Sequence, residues 1–205
     1  MSRGRVVPGR YEVMRYGAPT MSPRSPLSQF GIEDFPEILQ QARQGDESAF
    51  RVIYRTYHGN LLRFLRARLR SDAEDVASEV WATVAKGLPT FVGDEAAFRS
   101  WIFATARRRM IDLYRRQAVR PQVTSEVDLE DQAVTVPSAQ LEIDEAVSAL
   151  VANLTPEQAE IVLLRVLGGL SAKEVGVLVG KSEASVRVIQ HRALAKIAEN
   201  LKDDA

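Results

Sequence analysis

Apolar residues recur along most of this chain at intervals of three and four, the spacing of one face of a helix. Phe35 to Gln44 forms a short segment of this kind, ended by Gly45. From near Asp46 a longer one carries Phe50, Ile53, Tyr54, Tyr57, Leu61, Phe64, Leu65 and Leu69. A third opens at Ser71, with Glu74 placed for a capping box, and runs through Val76, Val80, Trp81 and Val84 to Gly87. The loop Leu88 to Glu95 leads into an arginine-rich helix, Phe98 to near Arg116. Three more start signals follow. Thr155-Pro156-Glu157-Gln158 supplies an N-cap, a proline at the first helical position and a reciprocal glutamine. Ser171 with Glu174 predicts another capping box behind the breaker pair Gly168-Gly169, and Ser182 caps the last helix after Gly180-Lys181. No strand alternation and no internal repeat competes, so the pattern predicts an all-α fold.

Two stretches lack periodicity. Residues 1–31 are rich in Arg, Pro, Ser and Gly and read as a disordered N-terminal extension; Met14 and Met21 lie inside it, so translation starts at Met1, Met14 or Met21. Residues 118–140 are acidic and poor in large apolar groups, and read as a flexible linker. The expected plan is therefore two small helical domains, 32–117 and 141–205, joined by that acidic tether. The chain's 205 residues suffice for a core in each.

The absence of cysteine removes disulfides, thiolate metal sites and cysteine nucleophiles, and the two histidines, His58 and His191, are far apart. No nucleophile, base or metal constellation converges, so neither enzymatic activity, nor a cofactor, nor a metal is expected. No apolar run approaches the roughly 18 residues of a membrane span, and the arginines near the N-terminus have no apolar stretch behind them, so a cytoplasmic protein without membrane insertion is expected. The formal net charge of zero conceals strong segregation: Phe98 to Arg120 holds seven arginines against Asp112 alone, whereas Pro121 to Glu145 holds seven carboxylates and no basic residue. Opposite charges in separate blocks point to separate faces for separate partners.

Ser171 to Val179 and Ser182 to about Asn200, joined at Gly180, have helix-turn-helix spacing, in which the second helix enters the DNA major groove. On a helical wheel Val186, Ile189, Ala193 and Ile197 share a core face. Ala184, Arg187, Val188 and His191 fall opposite, with Arg192 alongside. Arginine can take guanine edges and valine a thymine methyl, so this face suits a groove. The run LTPEQAEIVLLRVLGGLSAKEVGVLVGKSEASVRVIQHRALAKI resembles the fourth conserved region of sigma factors, and is also similar to the DNA-binding module of LuxR-type regulators.

The N-terminal half separates the two. ARQGDESAFRVIYRTYHGNLLRFLRARL, SDAEDVASEVWATVAKGLPTF and AFRSWIFATARRRMIDLYRR, in that order, resemble the second conserved region of extracytoplasmic-function sigma factors (sigma-70 family, group 4) over roughly Ile32 to Arg116. A LuxR-type regulator would carry a receiver or ligand-binding domain with strands here. The resemblance implies a protein that binds RNA polymerase core, at the beta-prime clamp and the beta flap, and directs transcription from promoter DNA. It implies clamp docking by the helix bearing Asp72, Glu74, Asp75 and Glu79, acids that also oppose the helix dipole. It implies recognition of the −10 element by Phe91, Asp94, Phe98, Arg99, Arg107, Arg108, Arg109, Arg115 and Arg116, with one base flipped into a pocket of the loop Phe91 to Ala97. Arg108 stands where many family members have Asn. For the −35 element it implies Lys181, Ser182, Ala184, Ser185, Arg187, Val188, His191 and Arg192. Where the family pattern has a polar then an apolar residue this chain has Ile189 then Gln190, so either Ile189 takes the core position or Gln190 is partly buried and bonded. The resemblance also implies an anti-sigma factor as partner. The acidic linker is either a thread through the polymerase RNA channel or a solvated spacer.

Overall fold

A computed structural model describes residues 31–119 and 138–203; the expected disordered extension and most of the expected acidic linker lie outside the described residues. Eight helices run in the order α1 Phe35–Arg43, α2 Glu47–Leu69, α3 Ala73–Gly87, α4 Glu95–Val119, α5 Ser138–Ala152, α6 Pro156–Val166, α7 Ala172–Val179 and α8 Glu183–Asp203, and no strand occurs among the described residues. Short 3-10 turns, Arg70–Asp72 and Leu88–Thr90, precede and follow α3. Both edges of the linker stretch are helical, since α4 continues to Val119 and α5 begins at Ser138.

The fold is all-α, with two small helical domains. In the first, α2 is the central rod: Ile53, Leu61, Phe64 and Leu65 are completely buried, and α1, α3 and α4 pack around them. Phe64 meets Phe103 edge-on, with ring centroids 5.5 Å apart. Each such fully buried side chain is worth about 1.5–3 kcal/mol. Trp81 is also core. Its ring lies against Tyr54 and Phe50, and its indole N–H donates to His58 Nδ1 at 3.2 Å. In the second domain Ile161, Leu164, Leu170, Val175, Val186 and Ala193 close the core between α6, α7 and α8.

The helix starts follow local side-chain chemistry. Asp46 Oδ1 accepts from the Ser48 and Ala49 amides at 2.7 and 2.9 Å. Thr155 with Gln158 and Ser171 with Glu174 form complete capping boxes, and Ser182 Oγ accepts from the Ser185 amide at 3.1 Å. The capping box expected at Ser71 does not form. Ser71 lies in the 3-10 turn and Asp72 is the N-cap residue, without a side-chain cap. The cause is competition for Glu74: Arg66 from α2 donates to its Oε1 through Nε and Nη2, at 2.9 and 2.5 Å. A charge-assisted bond from a guanidinium outweighs a backbone amide.

Between α7 and α8 the chain turns at Gly180, whose φ of 72° favours glycine. Gly176 is needed for a different reason: a Cβ there would lie 2.6 Å from the Lys181 carbonyl oxygen. The turn therefore closes only because α7 presents bare backbone to it.

Candidate nucleic-acid interface

The N-terminal half of α8 divides cleanly. Val186 and Ala193 are fully buried, with Ile189 and Ile197 partly buried beside them, as the wheel requires. Ala184, Ser185, Arg187, Val188, His191 and Arg192 are exposed, with Val188 at 50%. Both alternatives at the Ile189-Gln190 pair hold together: Ile189 packs on the core, and Gln190 Oε1 accepts from Arg165 Nε at 2.9 Å. Gln190 thus ties the helix to α6, which fixes its rotation about its axis. Arg187 pairs with Glu183 one turn earlier on the same helix, and Lys181 pairs with Glu157 at 2.9 Å.

On α4 the picture is less simple. Phe98, assigned to DNA by the resemblance, is completely buried among Phe35, Tyr57, Phe91 and Trp101. It is a core residue beneath the loop, because it lies on the inward side of α4 with Ile102 and Met110. Asp94 is exposed, and its carboxylate is committed as the cap of α4, accepting from the Ala97 amide at 2.8 Å. Phe91 stacks flat on Trp101, centroids 5.1 Å apart and planes 13° apart, while Val92 stands at the loop tip, 81% exposed. The consecutive arginines diverge: Arg107 Nε pairs with Glu160 at 3.0 Å, Arg109 reaches Glu79 and Thr83 on α3, and Arg108 is exposed. Arg99 pairs with Glu95 at 3.3 Å and Arg115 with Asp112 at 3.9 Å, whereas Arg116 is exposed.

On α3, Asp75, Ser78, Glu79 and Ala82 face outward, a low surface with negative charge at Asp75 and at Glu79, which Arg109 also reaches. Glu74 is exposed but held by Arg66, and Asp72 accepts from Gln117 at 3.3 Å. The macrodipole of α3 favours these acids in its first turns.

Glu95 was not singled out by sequence, although it organises the loop. Its Oε1 accepts from the Tyr57 hydroxyl at 2.6 Å and from the Ile32 amide at 3.1 Å. Burial, and then Glu95 itself, push the Tyr57 phenol well above its ordinary value, so it stays a neutral donor. No local signal marks the trio, because the partners lie 38 and 63 positions away. Among the described residues no group of His, Asp or Glu is placed to hold a metal, and no helix is long and apolar enough to cross a membrane.

Comparison with known proteins agrees with this geometry. The family model for Sigma-70 region 2 matches residues 53–120, and that for Sigma-70, region 4 matches residues 144–197. The ECF RNA polymerase sigma factor ShbA of Streptomyces griseus is 33% identical over 174 residues, covering 78% of this chain and 91% of the relative. The ECF RNA polymerase sigma factor BldN of Streptomyces coelicolor is 28% identical over 188 residues, covering 89% of this chain and 71% of the relative. Among solved structures, CnrH in complex with the cytosolic domain of CnrY is 24% identical with a TM-score of 0.59, over 84% of this chain and all of that one, a likeness of fold. Two helical domains in the matching order, and a relative one-third identical along nearly its whole length, establish the family: this chain belongs to the ECF RNA polymerase sigma factors of the sigma-70 family, which direct transcription initiation at promoters.

Proposed function

We propose that the chain docks on polymerase core through the acidic start of α3, reads the −10 element with the loop Phe91–Ala97 and α4, and reads the −35 element with the N-terminal half of α8. The outward face of α8 carries this reading. Arg187, Val188, His191 and Arg192 lie exposed on it, opposite the buried Val186 and Ala193, at the end of a helix that its turn and Gln190 hold in place. Val188 has no packing duty there, and an apolar β-branched side chain on a wet face suits a thymine methyl. On α4, Arg108, Arg115 and Arg116 are exposed and can neutralise phosphates directly, while Arg99, Arg107 and Arg109 must first give up protein carboxylates. Asp75 and Glu79 on α3 offer a basic clamp an acidic, sterically open surface. The beta flap and an anti-sigma factor are further partners in this reading, supported by Val177, Leu194 and Leu201, which the C-terminal domain leaves exposed. No reaction is assigned to the protein itself.

Run-off transcription with purified core on genomic fragments, followed by start-site mapping, tests the reading. The expected result is a small set of starts sharing −10 and −35 sequences, none of them seen with core alone. A protein that footprints DNA without polymerase, or one that binds core and yields no transcript, would overturn it.

A further inference from the structure

We propose that residues 1–30 act as a basic arm that grips promoter DNA beside the −10 element, supplying the positive charge that the −10 loop itself lacks. This rests on the assignment of the loop Phe91–Ala97 and α4 to the −10 element. The loop holds no basic residue and carries Asp94 and Glu95. Glu33 and Asp34, which stand exposed just after the point where the described chain begins, add two more acids. The first cation of α4, Arg99, is taken by Glu95 at 3.3 Å. A DNA strand arriving at this corner meets negative charge, which repels its phosphates.

The missing charge stands immediately upstream in the chain. Residues 1–30 contain five arginines, Arg3, Arg5, Arg10, Arg15 and Arg24, against Glu12 alone. Tyrosine follows arginine twice, at Arg10-Tyr11 and Arg15-Tyr16, a pairing that suits phosphates and the faces of unpaired bases. The fold fixes where this segment joins the domain. The Ile32 amide donates to Glu95 Oε1 at 3.1 Å, and a Cβ on Gly31 would lie 3.3 Å from Glu95 Oε2. Phe35 packs on Phe98 beneath the loop, with ring centroids 5.5 Å apart. Gly31 is thus held against the first turn of α4. Arg24 stands seven positions before it, and an extended chain covers at most about 3.6 Å per residue, so Arg24 lies within about 25 Å of the loop. The acids at the start of α3 are the competing target. They lie at the far end of that helix from the loop, and its 15 residues span about 22 Å. The arm meets the −10 loop first, and basic N-terminal arms are a general means of holding nucleic acid.

Holoenzymes reconstituted from polymerase core with either the parent or an Arg10→Gln/Arg15→Gln/Arg24→Gln variant should differ in salt dependence. On duplex promoter DNA the slope of log affinity against log salt should fall by about 2 in the variant, since each phosphate contact contributes about 0.7–0.9. Affinity for core should stay the same. The chain has no cysteine, so a Ser22→Cys variant accepts an iron–EDTA chelate at that position alone. Radicals from the chelate should cut the promoter backbone around the −10 element. An unchanged slope, or cuts that are absent or confined to the −35 region, overturns the proposal. So does a native chain that begins at Met21, which keeps only Arg24. A variant that binds core more tightly and DNA no more weakly also sinks it, because the arm then belongs to α3. If neither holoenzyme starts transcription at a promoter, the −10 reading has failed, while the salt slope on any duplex still decides whether the arm takes phosphates.

Discussion

The arginines of α4 are mostly engaged within the protein, whereas the polar face of α8 is mostly free. On α4, Arg107 and Arg109 pair with carboxylates of other helices, Arg99 and Arg115 pair within α4 itself, and the base of the adjoining loop is pinned by Glu95. On α8, Arg187 pairs only with its own helix, and His191 and Arg192 have no ion-pair or hydrogen-bond partner among the described residues. The difference teaches where stability and recognition can be separated. A side chain without structural duty can be changed to alter promoter choice alone, while one that also closes the fold changes both at once.

The largest effect is expected where the two duties coincide. Glu95→Ala leaves the Tyr57 hydroxyl and the Ile32 amide without their acceptor, at a cost of about 1–3 kcal/mol for each buried orphan. Thermal unfolding should shift down and run-off transcription should weaken most on promoters that depend on the −10 element. An unchanged melting temperature would mean that the loop is not held from α2, and the contrast with α8 would collapse.

On the free face the effects are smaller and cleaner. Val188→Ala should lose about 1 kcal/mol of discrimination at one −35 position while the melting temperature stays put. Destabilisation without a change of promoter preference would mean that Val188 packs against protein, and that the two helices are built alike after all. Arg192→Ala should weaken all promoters equally and reduce the slope of log affinity against log salt by about 0.9. A sequence-selective loss would move Arg192 from the phosphates to a base edge.

The smallest effect separates the two histidines. His58 is half-buried, stacked on Tyr54 at 4.5 Å, and accepts from Trp81; burial first, and then Arg66, hold it below its ordinary value of 6.5. The unfolded chain therefore binds this proton more readily than the folded protein, so stability rises with pH: the His58 contribution is present above about 6.5 and is lost as the pH falls below it. Urea midpoints at about pH 7.5 and about pH 5 should differ less in His58→Gln than in the parent. Substituting the exposed His191 in the same way should leave that difference intact. If it does not, acid acts on the C-terminal domain instead.

What could be read from sequence follows the same divide. Thr155 with Gln158, Ser171 with Glu174, and the Val186–Ala193 stripe are local patterns, decided within one or two helical turns, and the structure reproduces them. The box at Ser71 failed because Arg66, on another helix, captured its glutamate. Phe98 was assigned to DNA by resemblance and proved to be core, because which side of α4 faces inward depends on where α1 and α2 lie. Glu95, Asp144 and Glu160 look like ordinary surface acids in the chain, and Glu174 shows there only as the cap partner of Ser171. Their roles appear only when distant cations and hydroxyls are brought to them.

The stacking of Phe91 on Trp101 has an optical consequence. The chain has two indoles: Trp81 is sealed in the core beside His58, and Trp101 lies flat beneath the loop. On the proposed −10 reading, a base entering that loop would disturb the Phe91–Trp101 stack and leave the buried Trp81 untouched. Emission from a Trp81→Phe protein would then come from Trp101 alone, and the arrival of the promoter strand could be followed in time without any attached dye.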